Sequence, residues 1–127
     1  MKNETIKVVL VEPGKEAQAA EYRNNLGTWQ QLVGGYIELY YPFDDAVCIL
    51  CNDEGKISGL SLNRAIRDSQ GEITDIIAGT FAVIGLDNAD DFRSLTAAEL
   101  EKYIALFREP ELFIGMNGKI IAAPYTA

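Results

Sequence analysis

The chain contains no histidine. That absence removes the usual base of the serine and cysteine triads, so a hydrolase built on this sequence would have to run on carboxylates or lysine. Cysteine is nearly missing too. Cys48 and Cys51 spell a C-x-x-C, but a structural zinc site needs four donors, and there is no third cysteine and no histidine to complete one. Ala46 to Asn52 reads as a strand, in which an offset of three sends the two sulfurs to opposite faces. Two separate packing thiols are expected, with no cofactor and no metal. No apolar run approaches the roughly 20 residues of a membrane-spanning helix. Met1-Lys2-Asn3-Glu4 leads straight into a strand pattern instead of a signal peptide's apolar region, so a cytoplasmic protein is expected. Positive charge is scarce as well, with 11 basic residues against 19 acidic and a net charge of -8. This deficit disfavours direct binding to a nucleic-acid backbone. It suits solubility, a partner with a basic surface, or an acidic DNA mimic that blocks a defence enzyme.

What is present has the balance of a globular protein. Apolar residues make up 48% and charged residues 24% of 127, enough to bury a core within one domain. The stretch from Asp75 to Asp87 is apolar on both alternating faces and fenced by aspartates, which predicts a fully buried central strand. Gly79 lies inside it, where a missing side chain marks a bulge or a close backbone approach. A buried helix fits less well, because Gly79 and Gly85 would each cost about 1 kcal/mol there.

Around that stretch, Thr5 to Val11 alternates as a first strand closed by Glu12-Pro13-Gly14, and Ala17 to Arg23 returns as an edge strand. Asn24 or Asn25 caps a short helix through Leu26, Trp29, Leu32 and Val33, stopped by Gly34-Gly35. Tyr36 to Tyr41 alternates with Ile37, Leu39 and Tyr41 predicted inward and Tyr36, Glu38 and Tyr40 on the wetter face. Ala46 to Asn52 is the next strand, followed by a hairpin loop at Asn52-Asp53-Glu54-Gly55 with glycine in the left-handed position, and Lys56 to Leu60 as its return. Ser61 is expected to cap one helical turn through Ile66, before the polar turn Asp68-Ser69-Gln70-Gly71. Thr96-Ala97-Ala98-Glu99 is a capping box, with Leu95 and Leu100 as its staple, for a helix from Ala97 to Arg108. Leu112 to Gly115 and Lys119 to Ala122 flank Asn117-Gly118, the signature of a tight C-terminal hairpin. The fold class expected is α+β, a mostly antiparallel sheet covered by two helices.

The order Glu12-Pro13-Gly14-Lys15, Leu32-Val33-Gly34-Gly35-Tyr36-Ile37-Glu38, Cys51-Asn52-Asp53-Glu54-Gly55-Lys56, Leu62-Asn63-Arg64-Ala65 and Ile77-Ala78-Gly79-Thr80-Phe81 resembles the bacterial and phage family of unknown function 3846. The resemblance runs from the first strand through Phe107. It carries no established activity, so it implies a fold and a setting among accessory proteins of bacteria, phages and conjugative elements.

Four residues stand out as candidates for binding. Asn63 and Arg64 interrupt an apolar context, and arginine suits anions. The plainer reading has Asn63 bonded to backbone and Arg64 paired with Asp44 or Asp45. Tyr36 and Tyr40, with Glu38 between them, form an aromatic face open to a partner, a base or a second copy of the chain. The acids at Asp44-Asp45, Asp53-Glu54 and Asp87-Asp91 invite a Mg²⁺ or Ca²⁺ reading, yet from Asp87 the calcium-loop template meets Phe92 and Ala98 where it needs glycine and glutamate. No glycine pair has the spacing of a phosphate loop. The leading expectation is a non-enzymatic interaction protein of a bacterium or mobile element. A domain that binds a nucleotide or small anion, with Mg²⁺-dependent phosphoesterase activity, is the alternative.

Overall fold

The computed structural model describes residues 4–124. Met1 to Asn3, on which the leader-peptide reading rests, lies outside them.

The centre is an antiparallel sheet in the order β2-β1-β7-β4-β3. It is made by Thr5–Val11 (β1), Gln18–Arg23 (β2), Ile37–Tyr40 (β3), Val47–Asn52 (β4) and Phe81–Leu86 (β7). The short Phe92–Arg93 (β8) adds to the end of β7. Alternation sorts its side chains onto two faces. On one side Ile6, Val8, Cys48, Leu50, Ala82 and Ile84 pack beneath the helix Leu26–Val33 (α1). On the other, Val9, Val11, Val47, Ile49, Phe81 and Val83 pack beneath the helix Ala97–Leu106 (α2) and a separate two-stranded sheet. That small sheet is Leu62–Arg67 (β5) paired with Ile73–Ala78 (β6). Glu111–Met116 (β9) and Lys119–Pro124 (β10) form the closing hairpin.

Each helix is fixed by its ends. The Asn25 side chain accepts from the Thr28 N–H at 2.8 Å, and Gly34 takes a left-handed φ of 77° while its N–H donates to the Gln30 carbonyl. Between these caps Trp29 is sealed against the sheet, its indole N–H donating to Asn24 Oδ1 at 3.1 Å. The capping box at Thr96 and Glu99 forms as the sequence predicts. Leu95 is buried and Leu100 packs against the same core, which is the staple.

Six expectations are corrected. The stretch from Asp75 to Asp87 is two strands, because Gly79 turns the chain with φ 80° and moves it from the small sheet into the central one. Only β7 has the two-sided burial that its apolar run predicts, whereas β6 is buried at its last two residues alone. The return strand and the helical turn are also misplaced. Asp53 to Gly59 is a chain of turns closed by Ser58 N–H to the Glu54 carbonyl and Leu60 N–H to the Gly55 carbonyl, and the strand begins at Leu62. Gly59, not Gly55, takes the positive φ; Gly55 is needed because a Cβ there would stand 2.8 Å from the Ala78 carbonyl oxygen. Tyr41 lies beyond β3 and is 58% exposed instead of inward. Finally α2 stops at Leu106, with Phe107 as its cap, two residues short of Arg108.

Candidate functional site

Asn63 and Arg64 sit on β5 where the strand crosses from the Gly79 turn toward α2, and neither side chain reaches solvent. The Asn63 amide donates to the carbonyls of Val11 and Gly79 at 2.9 and 2.8 Å, tying the end of β1 to the turn between β6 and β7. Its own oxygen accepts from Arg64 at 2.8 Å. The guanidinium, 1% exposed, donates further to the carbonyls of Phe107, Asn63 and Lys15. Desolvation pulls the Arg64 pKa down, opposed by the charges of Glu111 and Glu109. Asp44 and Asp45 are not its partners. Asp45 instead accepts from Lys102 Nζ and the Tyr103 hydroxyl, both at 2.6 Å, and these bonds hold its carboxyl below the usual range. A buried cation satisfied by carbonyl oxygens ties together the β1 turn, β5 and the end of α2.

The two tyrosines part company. Tyr36 is 73% exposed at the entry to β3, while Tyr40 is half buried against the core under α2. Tyr36 instead joins a group that sequence order keeps apart. Its carbonyl accepts from the Asp53 N–H at 3.1 Å, which brings the turn after β4 beside the start of β3. There a cleft of about 250 Å³ opens between the central sheet and β6. Glu38, Asp53, Glu54 and Asp75 line it with a single cation, Lys56, which pairs with Asp75 at 2.8 Å. Ile57, 88% exposed, stands on the same loop.

Cys51 lies at the floor of this cleft and Cys48 under α1, on opposite faces of β4 as the offset of three predicts. Burial, reinforced by Glu38, Asp75 and Asp53, pushes the Cys51 thiol up to about 12. Burial and then the neighbouring Cys51 do the same for Cys48, also to about 12. Both thiols therefore stay protonated at neutral pH and are poor nucleophiles and metal ligands. Among the described residues, no group of three or more histidine, cysteine, aspartate or glutamate side chains is placed to hold a metal ion.

Two further polar centres escaped sequence reasoning. Arg93 forks onto both oxygens of Glu99 at 2.8 and 3.1 Å and also reaches the carbonyls of Leu86, Ser94 and Ala46. Gly85 makes room for it, since a Cβ there would lie 2.5 Å from the guanidinium. Glu111 accepts from the Ala65 N–H and from Arg67, latching the closing hairpin to β5. Nothing in the spacing of these residues announces the pairings. A glycine in the middle of an apolar strand is the one visible hint, for Arg93.

Fold and surface together define an antiparallel α+β protein with helices on both faces of its main sheet and one acidic cleft beside an exposed aromatic. The chain belongs to the family described as domain of unknown function (DUF3846), whose match spans residues 6–108. No curated protein and no solved structure matches it. Among the described residues no helix is long and apolar enough to cross a membrane.

Proposed function

We propose that this is a non-enzymatic interaction protein that grips a basic segment of a partner protein in the cleft beside Tyr36. The observation that carries the reading is the lining: four carboxylates against one lysine that is already paired. A guanidinium entering there finds carboxylates for forked hydrogen bonds, the Tyr36 ring offers a cation–π face, and Ile57 adds an apolar contact. Tyr36 is the half of the tyrosine face that remains available for this, since Tyr40 serves the core. The same charge repels phosphate, so nucleic acid and free nucleotides are not the ligands.

The phosphoesterase alternative draws little support, because it relied on Arg64 to hold an anion and that side chain is sealed among carbonyls. A DNA mimic needs an unbroken run of free carboxylates, whereas Asp45, Glu99 and Glu111 are each engaged by a lysine or arginine of the same chain. A cytoplasmic setting and a role in a mobile element accompany the proposal. Calorimetric titration with an arginine-rich peptide tests it. Binding is expected to weaken as salt rises and to vanish in Glu54→Lys. A peptide that does not bind at low salt, or binds that variant equally well, would overturn the reading.

A further inference from the structure

The closing hairpin is apolar on both of its faces. Phe113, Ile120 and Ala122 share one face, and Ile120 helps line a groove with Leu62, Ile73 and Ile76 of the small sheet. The register places Leu112, Ile114, Ile121 and Ala123 together on the other, with Ile121 directly opposite Ile114. Nothing in the described chain covers that outer face, where Ile114 is 49% and Ile121 44% exposed. Strands wet on one side normally alternate with polar residues, and runs such as Leu112-Phe113-Ile114 belong to strands covered on both sides. The hairpin also lies beyond the residues matched to the family.

We propose that the outer face of β9 and β10 is where two copies of this chain pack, antiparallel about a two-fold axis. Charge selects the partner. Two copies each carrying a net charge of -8 repel over most of their surfaces, but from Leu112 to Pro124 the sole charged residue is Lys119. Lys119 stands at the hairpin tip on the outer face, and the exposed Glu109 precedes its base. Antiparallel packing sets the tip of each copy against the base of the other, so Lys119 meets the opposing Glu109 twice, as an isologous interface requires. Pairing through the open edge of β10 is disfavoured, because Pro124 lacks an N–H at one end and Lys119 guards the other. Leu112, Ile114, Ile121 and Ala123 of the outer face line no part of the cleft.

Sedimentation velocity of the full chain across a wide concentration series tests this directly. A reversible dimer of twice 14.0 kDa is expected. Ile114→Glu should raise its dissociation constant by at least about tenfold with the circular dichroism unchanged. Lys119→Glu should weaken it less, and adding Glu109→Lys to that variant should restore it, which decides the matter even if Ile114→Glu misfolds. A chain that stays monomeric throughout, or a dimer indifferent to the charge exchange and to Ile114→Glu, overturns the proposal.

Discussion

Arg64 and Lys56 are cations some eight residues apart in sequence with opposite fates. Arg64 is withdrawn from water and surrounded by four oxygen atoms of three residues, the backbone carbonyls of Phe107, Asn63 and Lys15 and the Asn63 side-chain oxygen. Lys56 lies on an exposed turn and makes one ion pair across the mouth of a cleft whose other carboxylates stay open. The first cation holds segments of chain together and has no capacity left for a ligand. The second costs the fold little and sets the charge of a surface. A polar residue in apolar surroundings is therefore a guide to architecture in this molecule, whereas the open carboxylates of the surface gather at a turn that sequence alone treats as filler.

The sharpest way to break the comparison is at the buried centre. Arg64→Ala leaves the Phe107 and Lys15 carbonyls without their donors and should destabilise the protein by about 3–5 kcal/mol in denaturant unfolding. Asn63→Asp should be of similar severity, because it turns a donor into a carboxylate facing the Val11 and Gly79 carbonyls. If either variant unfolds at the wild-type midpoint, the centre is not structural. An intermediate effect belongs to Glu99, whose carboxyl is held below its usual range chiefly by the Arg93 hydrogen bonds and further by Thr96. Because the folded-state pKa lies below the unfolded one, this stabilisation is complete above the unfolded value and disappears as pH falls through the folded value. Glu99→Gln should cost about 1–2 kcal/mol at neutral pH. The loss should shrink in acid, read as converging melting temperatures. Thr96→Ala removes the other half of the capping box and should cost about 1 kcal/mol. Lys56→Ala sits at the far end: its pair is exposed, so stability should change by less than about 0.5 kcal/mol. The same substitution should tighten the arginine-rich peptide, since it removes the only cation from the cleft. An unchanged affinity would detach Lys56 from the binding surface.

The parts legible in the sequence are those specified by neighbours along the chain. Asn25, Gly34, the box at Thr96 and the Asn117-Gly118 turn each act within four residues, and all appear where the pattern puts them. The antiparallel α+β class follows from them. The middle of the chain was harder because Gly79 has two meanings, a bulge within one strand or a turn between two, and only the location of the partner strands decides. Once β5 is taken for a helical turn, the strand that pairs with β6 disappears and the longer reading wins by default. The cleft was illegible for a related reason. Glu38, Asp53 and Asp75 belong to three different segments, and no periodicity relates them until β6 is laid beside β4.

Placing the two thiols under different layers supplies a ready-made pair of reporters. In a chain stripped of one cysteine, the reaction rate of a thiol reagent with Cys48 times the lifting of α1, and with Cys51 the widening of the cleft between β4 and β6. Whether the two layers detach together or one at a time then becomes a matter of comparing two clocks, with no foreign probe attached to either.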